Sequence, residues 1–389
     1  MKHALIITTI GGFLPQFEMN DVKILQENGY TVHYASNFKN PVYDIDEKKL
    51  QEMGLVLHHI DICKSPFHVI KNAGACLKLR KIIKKEQIRL VHCHNPMGGV
   101  LGRLAALLCR RKVCVIYTAH GFHFYKGAPK KNRLLYGTAE RLLAHCTDRL
   151  ITINHEDYEN AKRFGLRRGG KVEYIPGVGV DIAKFRKIEE LRPGKRRELA
   201  LPEGAFHVVS VGELNENKNH KAVIRAIARL GGNDIYYSIC GSGPLEPQLQ
   251  EEIKALGLQQ RVRLLGYRTD VAEVLQSADC FAFPSKREGL GIAAIEALAC
   301  EVPMIAADNR GTREYVRDGG NGIVCDANSE QDFANAICRL KESVSLRRQL
   351  AEGCRQTAER FSIEATDKIM RRIYGEVDRE WSGEHETCI

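Results

Sequence analysis

Short apolar runs of strand length, each followed by a segment of helical periodicity, alternate along almost the whole chain. The runs at 4–9, 30–35, 88–94, 113–119, 149–153 and 172–175 read as strands, with helices at 18–28, 66–87, 98–110 and 133–145. A turn-rich stretch, Pro176-Gly177-Val178-Gly179-Val180-Asp181, interrupts the pattern, and Pro193-Gly194 follows it. The alternation then restarts, with strands at 207–212, 235–240, 262–265 and 280–284, a last strand at 304–306, and helices at 221–230, 245–256 and 292–300. Repeated β-then-α order implies parallel strands joined by right-handed helical crossovers, with helices on both faces of each sheet. The expectation is an α/β protein of two doubly wound, Rossmann-like domains, 1–180 and 181–361. In such sheets ligands lie beyond the carboxyl ends of strands, so the chemistry is sought in the loops that follow them.

Two domains suit a chain of 389 residues. No apolar run reaches the length of a membrane-spanning helix, and the opening stretch at 4–9 ends at Gly11-Gly12, too short for a signal peptide. The expected location is the cytoplasm. The 13 cysteines contain no C-x-x-C pair and read as buried free thiols. The net charge of +10 is uneven: residues 1–180 hold 28 Lys+Arg against 15 Asp+Glu, and the remainder 30 against 33. The first half should therefore meet an anionic partner.

The densest loop is Pro284-Ser285-Lys286-Arg287-Glu288-Gly289-Leu290-Gly291, which leads into the helix Ile292-Ala293-Ala294-Ile295-Glu296. A helix N-terminus offers unpaired N–H groups to oxygen-rich ligands. Glu288 and Glu296 are eight positions apart, about 12 Å if helical, which would let one carboxylate reach a sugar and the other a ribose. Alone, such a pair would more often be a cap and a solvated charge. Here Glu296 sits among alanine, isoleucine and leucine, where a charge is otherwise costly.

This Glu-Gly-Leu-Gly…Glu-Ala-Leu-Ala form resembles the signature of the retaining glycosyltransferases of family four, which have the GT-B fold, two Rossmann-like domains facing across a cleft. The resemblance covers nearly the whole chain. It implies that Glu288 contacts donor-sugar hydroxyls, that Glu296 holds the ribose, and that backbone of Gly289, Leu290 and Gly291 faces sugar and phosphates. Gly241-Ser242-Gly243-Pro244 is similar to the family's G-x-G-P turn, and Gly266-Tyr267-Arg268 to a loop near the donor base. Gly11 and Gly12 fall where the family brings backbone close to phosphate and acceptor. Thr118-Ala119-His120-Gly121 is similar to its N-domain histidine motif, so His120 would reach the donor sugar. His94 would line the acceptor side. Lys218 matches a family cation for the leaving diphosphate. The family's arginine position holds Glu213, a departure that Arg287 or Arg268 would have to compensate.

The resemblance further implies transfer of a hexose or N-acetylhexosamine from a nucleotide sugar, by family habit a uridine diphosphate sugar, with retained configuration and no metal or other cofactor. It implies a C-terminal helix from about 362 that returns to the first domain, with a frayed tail from Trp381. The wording of 120–129 and 176–181 looks most like the bacterial exopolysaccharide and capsule branch, so a lipid-linked sugar or oligosaccharide acceptor in cell-surface polysaccharide synthesis is expected.

The helix at 66–87 carries Lys71, Lys78, Arg80, Lys81, Lys84 and Lys85, with Leu77, Leu79, Ile82 and Ile83 as a core-facing side. Arg110, Arg111, Lys112, Lys126, Lys130, Lys131 and Arg133 extend the basic surface, which points to peripheral docking on the anionic inner face of the plasma membrane. Nucleic acid is not expected as a partner. The competing class is a non-catalytic α/β protein that holds a polyanion, nucleic acid included; it explains the charge but leaves Glu288 and Glu296 idle. A phosphorylase of the same fold would need a pyridoxal phosphate lysine, for which no site is evident. Asp44-Ile45-Asp46 reads as a solvated turn. His92 and His94 share a strand face, but no further zinc ligands appear at suitable spacing.

Overall fold

A computed structural model describes residues 2–39, 42–109 and 112–383; Arg110, Arg111 and the tail 384–389 lie outside the described residues. The chain divides into two compact units, 1–179 with 363–389, and 180–362. The first opens with β1 (Lys2–Ile7), α1 (Phe13–Phe17), α2 (Met19–Glu27), β2 (Tyr30–Ser36), α3 (Glu47–Glu52), β3 (Val56–His59) and α4 (Val69–Lys85). It continues with β4 (Leu90–His94), α5 (Pro96–Leu108), β5 (Cys114–Ala119), α6 (Lys130–Ala144), β6 (Arg149–Thr152), α7 (His155–Ala161) and β7 (Lys171–Tyr174). The second holds α8 (Leu191–Glu198), β8 (Phe206–Val211), α9 (His220–Leu230), β9 (Ile235–Cys240), α10 (Glu246–Ala255), β10 (Val262–Leu264) and α11 (Val271–Gln276). It ends with β11 (Cys280–Phe283), α12 (Ile292–Ala299), β12 (Met304–Ala307), β13 (Gly322–Cys325), α13 (Glu330–Glu342) and α14 (Val344–Glu359). Last comes α15 (Ile363–Gly383), which rejoins the first unit.

Among the described residues every named strand pairing is parallel. The seven-stranded sheet runs β3-β2-β1-β4-β5-β6-β7 and the six-stranded sheet β10-β9-β8-β11-β12-β13. Each order reverses once, between β1 and β4 and between β8 and β11. Loops after those neighbouring strands turn to opposite sides and leave a crevice between them, which places the candidate residues. Central strands are buried along almost their whole length because helices cover both faces, as β4 and β5 show.

Several sequence expectations are corrected. The strand at 304–306 is not the last: β13 adds an edge strand that follows β12 with no α-helix between, outside the strand–helix alternation. β3 is a further strand outside the expected set, its apolar run cut short by His58 and His59. The helix expected at 18–28 is α2 (19–27), and a short further helix, α1, precedes it, separated by Glu18, which leaves helical geometry. Leu77 does not face the core; it is 58% exposed, whereas Leu79 and Ile83 are fully buried. Asp46 of the D-x-D stretch caps α3 by accepting from Lys49 N at 3.0 Å.

α15 packs through Met370, Ile373, Tyr374 and Val377, an i, i+3, i+4, i+7 stripe. Its polar contacts include Tyr374 Oη with His92 Nδ1 (2.7 Å), Lys2 with Asp378 (2.6 Å) and buried Arg149 with both oxygens of Glu380 (2.6 and 2.7 Å). The helix continues past Trp381, where fraying was expected, to Gly383.

Candidate active site

In the second unit the reversal sets β8 beside β11, pairing Val209 with Phe281. The loops after the two strands therefore meet. Asn215 Oδ1 accepts from the backbone of Asn217 (3.0 Å) and Lys218 (2.9 Å), a side-chain turn that folds the first loop back on itself. Lys218 lies along Gly212, where an added Cβ would sit 3.2 Å from Lys218 Cδ. Its Nζ donates to Glu288 Oε1 at 2.7 Å and stands 5.2 Å from the Phe283 ring centroid. Asn217 stitches the loops together, donating from Nδ2 to Arg287 O and accepting at its carbonyl from Lys286 N, both at 2.8 Å.

The Glu288 loop is also held from below. Asn309 Nδ2 donates to Ser285 O (2.9 Å), Arg310 Nε to Glu288 O (3.2 Å) and Tyr315 Oη to Leu290 O (2.9 Å). Gly291 precedes α12 at φ +99°, with the Phe283 ring 2.8 Å and Tyr315 Oη 2.9 Å from where a Cβ would lie. Any side chain here meets both strain and a clash. Only the second half of the Glu288–Glu296 spacing is helical, because α12 begins at Ile292; a bend at Gly289-Leu290 replaces the helical rise assumed from sequence over the first half. Glu296 is the only charged group of α12, half-buried, and burial pushes its carboxyl up to about 7, partly offset by Lys184.

Gly241 and Gly243 press backbone against the Lys218 loop. A Cβ on Gly241 would lie 2.0 Å from Gly212 O, and one on Gly243 2.6 Å from Leu214 O. Arg268 stands in a charged cluster with Asp270, Glu198 and Lys195, donating to Glu198 Oε1 at 2.8 Å and to Asp270 Oδ1 at 2.7 Å. Those carboxylates hold its guanidinium above the usual arginine range. Arg287 is exposed on the loop beside Glu288, and Glu213 accepts from Asn215 Nδ2 at 2.8 Å. Sequence reasoning missed the supports Asn309, Arg310 and Tyr315. Their signal was Asn309-Arg310-Gly311, a turn directly after a strand.

In the first unit β4 and β5 are neighbours, and His94 pairs in register with Thr118. That puts His94 and His120 side by side, Nδ1 to Nε2 at 3.2 Å. Glu18, before α2, brings Oε1 to 3.4 Å from each imidazole. Burial pushes the Glu18 carboxyl up to about 8 and His94 down to about 3, and lowers His120 as well. Burial thus disfavours the charged form of all three, and the one hydrogen bond among them is His94–His120. Glu18 Oε1 and His94 Nε2 are buried without a hydrogen-bond partner. Asp21 approaches His92 Nδ1 at 3.4 Å, and His92 Nε2 meets Thr118 Oγ1 at 2.8 Å. The ligand-type groups that sequence spacing could not find near His92 and His94 thus come from Glu18, Asp21 and His120. Gly11 and Gly12 approach their own chain closely: a Cβ on Gly12 would fall 2.2 Å from Tyr43 O.

Residues 22–184 match the family described as Glycosyltransferase Family 4, and residues 192–357 the family described as Glycosyl transferases group 1. A relative from Bacillus subtilis (strain 168) that carries a glycosyltransferase name, EpsD, is 39% identical over 378 residues, 96% of each chain. An Escherichia coli relative, the UDP-Gal:alpha-D-GlcNAc-diphosphoundecaprenol alpha-1,3-galactosyltransferase, is 31% identical over 299 residues, 76% of each chain. Among solved structures, Anabaena Alr3699/HepE in complex with UDP and glucose has a TM-score of 0.78 at 19% identity, covering 97% of this chain and 100% of that one. Sucrose-phosphate synthase from Thermosynechococcus elongatus reaches 0.80 at 18% identity, covering 98% and 100%. These likenesses place both units in the GT-B fold.

Proposed function

The chain belongs to the family 4, group 1 glycosyltransferases, and on that premise we propose that it moves a hexose or N-acetylhexosamine from a uridine diphosphate sugar to a lipid-linked saccharide, retaining configuration, in cell-surface polysaccharide synthesis. The Lys218–Glu288 pair beside the start of α12 carries this reading. Negative charge grows on the leaving diphosphate as the glycosidic bond breaks, and a fixed ammonium lowers that barrier. Lys218 supplies the ammonium, Glu288 accepts from sugar hydroxyls, and Glu296 accepts from the ribose. His120, neutral through burial, is a hydrogen-bond partner for a sugar hydroxyl. No resident metal is invoked. The named donor of the E. coli relative and the UDP in the Anabaena structure support the uridine carrier.

The diphosphoundecaprenol acceptor named for the E. coli relative supports the lipid-linked acceptor. No helix among the described residues is long and apolar enough to cross a membrane. Peripheral docking on an anionic bilayer is supported by exposed Phe67, Ile70 and Leu134 (83%, 90% and 74%) among the lysines of α4 and α6.

The test is a thermal-shift screen of nucleotide sugars on wild type and Glu296→Ala. A ligand at 100 times its dissociation constant stabilises by about 2.7 kcal/mol. A shift with one uridine diphosphate sugar that disappears in the variant is expected. No shift with any nucleotide sugar would sink the donor assignment.

A further inference from the structure

Within the first unit a groove of about 870 Å³ runs along α5. Its floor is Met97, Leu101, Leu104 and Leu108, a stripe at spacings of four, three and four on one helix face. One wall is Ala73 and Leu77 of α4, and the other Leu135 and Ala139 of α6, each an i, i+4 pair. Glu140 also lines it, but its carboxylate is bonded to buried Arg103 at 2.8 Å, so that charge is met inside the protein. Such a volume is that of a ligand site, and its lining is mostly hydrocarbon.

The two ends differ. One is formed by Thr9, Ile10 and Asn95, in the loops after β1 and β4 where the strand order reverses; Asn95 directly follows His94. At the other end Leu107 and Leu108 are 52% and 47% exposed. Thirteen residues of α5 separate them, about 20 Å of helix. Lys64 adds a cation to the lining, and exposed Lys71, Lys130 and Lys131 stand on the flanking segments.

We propose that this groove receives the polyprenyl chain of the acceptor, with the diphosphate and sugar at the Thr9–Asn95 end. The inference rests on the lipid-linked acceptor proposed above. The order of chemistry along α5, catalytic loops then apolar stripe then exposed leucines, is the order sugar, diphosphate, hydrocarbon in such a molecule. The lysines complement the diphosphate.

The experiment compares two acceptors with the same sugar diphosphate, one on a long polyprenyl chain and one on a short alkyl chain. It uses wild type and Ala73→Trp/Ala139→Trp, which fills the groove from wall positions outside the core. Wild type should show a KM at least tenfold lower for the long chain. The double variant should lose that preference while keeping its short-chain rate and its thermal shift with donor. A diazirine-bearing polyprenyl phosphate should label α5 and α6 peptides in wild type only. Equal KM values in wild type, or labelling elsewhere, would overturn the groove and leave the lipid-linked acceptor standing. A variant that keeps the chain-length preference but no longer co-sediments with anionic liposomes would assign the groove to bilayer lipid instead. Transfer to neither acceptor would overturn both.

Discussion

Lys218 and Glu288, seventy positions apart in sequence, share a 2.7 Å hydrogen bond where the loops after β8 and β11 meet. The pair neutralises itself before any ligand arrives, so its two members should fail differently. Lys218→Ala should lower kcat by about 10²–10³, the usual cost of one group that stabilises developing charge. Glu288→Gln should also cripple transfer, yet bind the product UDP several-fold more tightly, because Lys218 is then unopposed. Calorimetric titration of UDP into both variants checks this; weaker UDP binding by Glu288→Gln would refute the division of roles.

Glu296 should make donor binding pH-dependent. Its carboxyl is pushed up to about 7, and only the ionised form accepts from both ribose hydroxyls. Affinity for a uridine diphosphate sugar, whose esterified diphosphate does not titrate nearby, should rise roughly tenfold from pH 6 to pH 8 and then level. Glu296→Gln should flatten the profile. A steep profile in that variant would move the titration to another group.

Glu18 shapes stability. Its carboxyl keeps a proton to about pH 8 when folded but releases it near 4.5 when unfolded, so the folded state binds more protons between those values. Stability should therefore fall as pH rises from about 4.5 to about 8 and level above that, by a few kcal/mol in all. His94 and His120 act in the opposite direction: held neutral when folded, they cost stability as pH drops below 6.5. Melting curves should peak near pH 6.5, and Glu18→Gln should flatten the fall between pH 6.5 and 8 and steepen the rise below 6.5.

The same three groups decide the metal question. Glu18, His94 and His120 are ligand types within reach of one another. With burial disfavouring the charged form of all three, the expectation is activity unchanged by EDTA and no metal by elemental analysis of the purified protein. Stoichiometric zinc, lost in His120→Ala, would replace that reading.

Gly291→Ala should cost about 1–3 kcal/mol through its positive φ alone. It also pushes a methyl toward Phe283 and Tyr315 and so displaces the Tyr315–Leu290 bond that holds the donor loop. A fall of several degrees in melting temperature with weaker donor binding is expected. Unchanged donor affinity would separate the loop from the donor.

Alternation of strand and helix along consecutive residues determined the class, the parallel sheets and the loops worth searching. Motif wording at 284–296 and 118–121 determined the family. These are local properties, legible because each depends on neighbours in the chain. β13 was illegible because no α-helix stands between it and β12, so the strand–helix alternation that marked β7 and β10, edge strands no longer than it, does not reach it. The meeting of Lys218 with Glu288, and of Glu18 with His94 and His120, was decided only by tertiary structure. Which parallel strands lie side by side is a long-range choice of packing, and spacing in sequence does not encode it. The same choice brought α4, α5 and α6 around one groove, with Leu77 on its wall rather than in the core.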